Sequence, residues 1–146
     1  MKAELLIPAS QNKPANCSLY NIVNLIAGSM EHTANDNKSF IINDVPEDIL
    51  IDTDEQLLAS VLSNLMGEVI MHTKDGCIRI TAKLFRNVVL LHVKNDGSLN
   101  YDSVSQKMTR MQAQAEKLGG FVGFTSYRNK LTTIAFSFMN GQMPAN

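Results

Sequence analysis

"IDTDEQLLASVLSNLMGEVIMHT", residues 51–73, decides how the rest of the chain is read. Apolar side chains recur at Leu57, Leu58, Val61, Leu62, Leu65, Met66, Val69 and Ile70. That spacing has the period of an α-helix and describes a wide buried face. Asp52 or Thr53 is placed to cap the helix, with Asp54 and Glu55 in its first turn, where carboxylates oppose the helix dipole. On the same helix Asn64, Glu68 and His72 lie four residues apart. Side chains at that spacing stack along one helical stripe. Such a polar ladder on an otherwise apolar helix is either a ligand-facing wall or the edge that meets water.

Toward the N-terminus, "SFIIND" (39–44) and "DILID" (48–52) read as two short strands joined through Val45-Pro46-Glu47. Before them, "CSLYNIVNLIAGSMEHT" (17–33) places Leu19, Ile22, Val23, Leu25 and Ile26 at helical spacing behind a cap at Ser18, and "ANDNK" (34–38) reads as a turn. Residues 1–17 are polar and irregular after "ELLI".

Toward the C-terminus, "KDG" (74–76) stops the helix. "CIRITAKLF" and "NVVLLHVKN" then pair across Arg86-Asn87. "DGSLN" is a loop. Residues 102–118 form a third amphipathic helix with Val104, Met108, Met111, Ala115 and Leu118 on one side, stopped by Gly119-Gly120. "FVGFTSY" and "LTTIAFSF" close as a hairpin around residues 128–130. The predicted fold class is α/β: a two-layer sandwich of one mixed sheet with three helices on one face. The chain has no GxGxxG or P-loop sequence and no internal repeat.

The 146 residues fit a single domain, expected as an N-terminal arm at 1–18, a core at 19–139 and a flexible tail at 140–146. Charged residues make up 18% of the chain and the net charge is −1, with basic residues scattered singly. A nucleic-acid partner needs a concentrated basic face, so none is expected, and Tyr101 and Phe85 carry no stacking role without one. No run approaches the ~20 apolar residues of a membrane span, and the short apolar patch before Pro8 is no secretory signal. No membrane partner and a cytoplasmic location are therefore expected. Cys17 and Cys77 lack metal-ligand spacing and read as two reduced thiols, a lone disulfide in a secreted protein being the other reading.

From Leu19 to Phe138 these elements, in this order, resemble the ATP-binding domain of histidine kinases, a fold shared with gyrase and MutL-type ATPases. The helix at 54–73 is similar to that family's N-box, with Asp54, Leu57 or Leu58, Val61, Leu62, Asn64, Leu65 and Thr73 in matching places. "LLHVKNDGSLN" stands where the family has its G1 box, D-x-G-x-G. "MQAQAEKLGGFVGFTS" resembles its last helix and turn, and "LTTIAFSF" its closing strand.

The resemblance implies a nucleotide site at Asn64, Glu68, His72, Asn95, Gly97 and Thr132 or Thr133, with ATP and Mg as its cofactors. Glu68 aligns with the family's magnesium-holding Asn and is the candidate metal ligand and candidate catalytic group. A carboxylate there adds like-charge repulsion toward a triphosphate. Asn95 replaces the Asp that holds the adenine amino group, a weaker acceptor. Gly97 is retained, but Leu99 replaces the second glycine. The segment that carries the ATP lid in the family is reduced to "SLNYDSVSQK", with Lys107 and Arg110 as the cations that stand in for the lost glycine loop.

Two functions follow from the resemblance. One is a degenerate kinase-like domain acting as a protein-binding or phosphotransfer-type module in two-component signalling, with weak or no ATP binding. The other is an active ATP-Mg kinase that phosphorylates a histidine on a partner. Either implies a signalling partner, a response regulator or a histidine-bearing protein. No helical hairpin with a phospho-acceptor His is read before residue 19, and His32 in "MEHT" reads as a polar residue near a helix end. A homodimer would use the helix at 19–33 or the third helix. Of Met66, Met71, Met108 and Met111, an adaptable partner surface if exposed, most read as core and Met71 as the exposed one.

Overall fold

The computed structural model describes residues 17–97, 101–127 and 130–141. Ser18 opens helix α1 (Leu19–Ser29), its Oγ accepting from the Asn21 N–H at 3.1 Å. The helix expected to reach residue 33 breaks at Met30, and a second short helix, α2 (Glu31–Asp36), follows. The expected turn at 34–38 is thus partly helical, and only Asn37 and Lys38 turn the chain, Lys38 at φ +57°.

Strand β1 (Phe40–Asn43) leads to the long helix α3 (Glu55–His72). The cap of α3 is Asp54, one or two residues later than expected, and its Oδ1 accepts from Leu57 N–H at 3.1 Å. Leu58, Val61, Leu62, Leu65, Met66, Val69 and Ile70 are all buried, as the periodicity requires. Two polar side chains finish the helix. Thr73 Oγ1 donates to Val69 O at 2.6 Å, and the Asn37 amide donates to Ile70 O and Met71 O, carbonyls that the helix end leaves open.

The remaining elements are β2 (Cys77–Phe85), β3 (Val88–Asn95), α4 (Tyr101–Glu116), β4 (Phe121–Tyr127) and β5 (Lys130–Met139). They complete a five-stranded mixed sheet in the order β1-β2-β3-β5-β4, in which only β1–β2 is parallel. Alternation sorts its faces. Ile78, Ile80, Ala82, Val89, Leu91, Val93, Ile134, Phe136 and Phe138 are buried, while Arg79, Lys83, Leu90 and Lys94 between them face outward. Gly120 is required where α4 turns into β4: a Cβ there would lie 1.8 Å from Ser137 O.

The six strands of the sequence reading are five. Residues 48–52 alternate as a strand does, with Ile49 and Ile51 buried and Leu50 exposed. Their hydrogen bonds go to the entrance of α1, not to the sheet: Leu19 N–H donates to Ile49 O and Ile51 N–H to Cys17 O. The segment is extended because its side chains alternate, yet among the described residues its main chain meets residues 17–19 and 140–141 and no strand of the sheet. Cys17 and Ser18 join this bridge, and Asn140 donates to Leu50 O and accepts from Asp52 N–H. No described helix is long and apolar enough to cross a membrane.

Candidate functional site

The ladder on α3 faces α4. Glu68 is only 9% exposed, and its two oxygens meet different groups. Oε2 lies 3.1 Å from Lys107 Nζ of α4, and Oε1 lies 3.4 Å from His72 Nε2 one turn along α3. Oε1 has no hydrogen-bond partner of its own. One turn earlier, the Asn64 amide donates to Gln114 Oε1 at 2.9 Å. On α4, Lys107, Met111 and Gln114 are four and three residues apart, so they share a face. Met111 is buried between these polar contacts. Asn64, Glu68, Lys107, Arg110 and Met111 enclose a cleft of about 230 Å³.

The G1-like segment lies elsewhere. Asn95 is buried at the end of β3, and its Oδ1 accepts from the Gly97 N–H at 2.8 Å. Asp96 Oδ1 accepts from the Cys77 N–H at 2.6 Å. These are the local side-chain bonds that make Asx turns. Gly97 is pressed against the turn after α3, where a Cβ would meet Lys74 O at 2.7 Å and Thr73 Cγ2 at 2.9 Å. Asn95 lines a different cleft, about 300 Å³, with Cys77, Arg79, Lys94, Asp96 and Thr133. Among the described residues none lines both clefts.

The structure therefore brings together Asn64, Glu68 and His72 with Lys107 and Arg110, and puts Asn95 and Thr133 around a second opening. Thr132 is in β5, and its side chain falls outside the described set, as do those of Tyr101 and Val104 and all of Leu99. Of the methionines, Met66 and Met111 are core, Met108 packs partly against it and Met71 is exposed. His32 is exposed and lies 3.5 Å from Asp36. Both cysteines are free thiols, and burial pushes each pKa up.

The sequence reading missed Gln114 and Asn37. Gln114 stands one heptad after Lys107, a spacing that marks the α4 face but not what it meets. In the sequence Asn37 is part of a turn, and only the packing of that turn under α3 gives it a role.

No protein-family model matches the chain, and no curated protein sequence does. Solved structures do. Histidine kinase AdeS of Acinetobacter baumannii superposes with a TM-score of 0.73 at 12% identity over 88% of this chain and 68% of the solved chain. The nucleotide-free catalytic domain of histidine kinase ThkA superposes at 0.71 with 17% identity, over 87% of this chain and 95% of that domain. The structure of ThkA in complex with the response regulator TrrA gives a TM-score of 0.70 at 16% identity, over 86% of this chain and 41% of that one. At these identities the likeness speaks for architecture, and the chain has the fold of a histidine-kinase catalytic domain.

Proposed function

We propose that this chain is a protein-binding module of two-component signalling, built on the histidine-kinase catalytic fold and relieved of nucleotide chemistry. The observation that carries this reading is the closure of the polar ladder onto α4. Asn64 and Glu68, the residues that the resemblance assigns to the metal and phosphates, already have partners from within the chain, Gln114 and Lys107. The donor set does not suit Mg-ATP. Glu68 is a carboxylate already paired with the Lys107 ammonium, and it adds like charge toward a triphosphate. Asn95 uses its carbonyl oxygen to hold its own turn. Only residues 98–100 separate Gly97 from the start of α4, too few for a lid. ThkA, with a similar fold, is solved with a response regulator, so a response regulator is the partner to test first.

Calorimetric titration with ATP, with and without magnesium, tests the reading. The expected result is no saturable heat at millimolar ATP from folded protein, together with saturable binding to a response regulator. Saturable ATP binding that Glu68→Ala or Asn95→Ala weakens would overturn it in favour of an active kinase domain.

A further inference from the structure

Residues 140 and 141 are the one Asn-Gly pair in the chain. The fold requires each member for its own reason. Asn140 ties together segments that are far apart in sequence. Its main-chain N–H donates to Asn87 O at 2.6 Å, its side-chain oxygen accepts from Asp52 N–H at 2.7 Å, and its side-chain amide donates to Leu50 O at 2.9 Å. Gly141 turns the chain at φ +108°, where an L side chain is strained, and its N–H donates to Asp52 O at 2.7 Å. The same pair is chemically labile. Asparagine is a thermolabile side chain, and a glycine after it leaves the main-chain nitrogen without a side chain to shield it.

We infer that Asn140-Gly141 is a site of spontaneous deamidation that the folded state guards, and that conversion there releases the tie. Hydroxide takes the proton of the Gly141 main-chain nitrogen. That nitrogen bonds to Asn140 Cγ, the Cγ–Nδ2 bond breaks, and Nδ2 leaves as ammonia with a proton from water. Water then opens the cyclic imide, at Cγ to give aspartate or at the main-chain carbonyl to give isoaspartate. Water is consumed, ammonia is released, and nothing is oxidised or reduced. In the folded chain the parts are held apart from this course. The Gly141 N–H is engaged by Asp52 O, and both ends of the Asn140 side chain are fixed to residues 50 and 52. The imide therefore forms from states in which the tie has opened.

Either product weakens the tie. A carboxylate has no donor for Leu50 O, and it is ionised at neutral pH. It also comes close to a second carboxylate, because Asp52 Oδ2 lies 3.6 Å from where a Cβ on Gly141 would stand. Isoaspartate in addition inserts a carbon into the main chain between the N–H that reaches Asn87 O and the N–H that reaches Asp52 O. Those two bonds then no longer fit one register. Because ammonia leaves, the change is one-way.

Incubation of the full chain at mildly alkaline pH, folded and in urea, tests this by peptide mapping in a mass spectrometer. The expected result is conversion at Asn140 in urea, faster as pH rises, and at least about tenfold slower in the folded protein. Protein converted in urea, refolded and separated by its added negative charge is expected to exchange the Asp52 amide faster than unconverted protein. Asn140→Asp, made directly, gives the aspartyl product without the urea step and is expected to do the same. An Asn140 that stays intact in urea would overturn the site. Equal rates in folded and unfolded protein would overturn the guarding. Wild-type exchange at Asp52 in both the converted protein and Asn140→Asp would overturn the release.

Discussion

Glu68 lies between an ammonium and an imidazole, nearly out of water, and its surroundings set what each neighbour is worth. Lys107 is half-exposed, so solvent reduces the pair below the value of a fully buried one. Removing it still leaves a buried carboxylate with one oxygen already lacking a hydrogen bond. Lys107→Ala is expected to lower the unfolding free energy by about 1–2 kcal/mol in urea titration. Adding Glu68→Gln to it is expected to recover much of that loss, since the uncompensated charge is then gone. Strictly additive losses in the double-mutant cycle would show that the two residues do not act as a pair. The thiols make a second test at this scale. Burial raises the pKa of Cys17 and Cys77, with Glu55 and Asp96 respectively adding to the rise. Burial disfavours the thiolate, so alkylation of both at pH 8 is expected to be slower than for a free cysteine, and to gain speed as pH rises. The sign of the linkage is fixed too: a folded-state pKa above the unfolded one contributes stability below the unfolded pKa, and that contribution fades as pH rises through the folded value. Alkylation in native buffer as fast as in urea would contradict the direction.

At the scale of elements, α3 organises the molecule, and both of its ends are held by polar side chains. Asp54 holds the first turn from within the helix's own sequence. Asp54→Ala is expected to cost about 1 kcal/mol, read from the urea midpoint with an unchanged slope; a smaller slope would mean that more than the cap had changed. The other end depends on Asn37, 33 residues before Ile70 in the chain. The contrast explains what was legible. A cap three residues from its donor, or an apolar stripe repeating at 3.6 residues, is written in local sequence. A cap reaching from a distant turn is not. Residues 48–52 failed for the same reason, because alternation predicts an extended chain but does not say which main chain lies beside it.

At the scale of the whole molecule, the two ends of the described chain are tied to one another. Asn140 accepts from Asp52 N–H and donates to Leu50 O, its own N–H donates to Asn87 O, and Ile51 in turn reaches Cys17. Asn140→Ala is expected to cost about 1–2 kcal/mol and to raise amide exchange at Asp52 ahead of the sheet. Exchange at Asp52 that matches wild type would show that this knot does not hold the edge of the domain.

Periodicity, caps and turn residues by themselves determined that the chain is a two-layer α/β domain, which helix is central, and which residues fill the core, because each of those depends on neighbours a few positions away. They also set Asn64, Glu68 and His72 on one stripe, since helical spacing alone does that. Tertiary structure decided what the stripe faces. The packing of α4 on α3 gave Asn64 to Gln114 and Glu68 to Lys107, across 50 residues in the first case, and it separated Asn95 from them around a second cleft. It likewise decided that, among the described strands, β1 stands at an end of the sheet beside β2. Which groups meet across a fold is set by how layers pack and in what order strands lie, and neither is encoded at any fixed spacing along the chain.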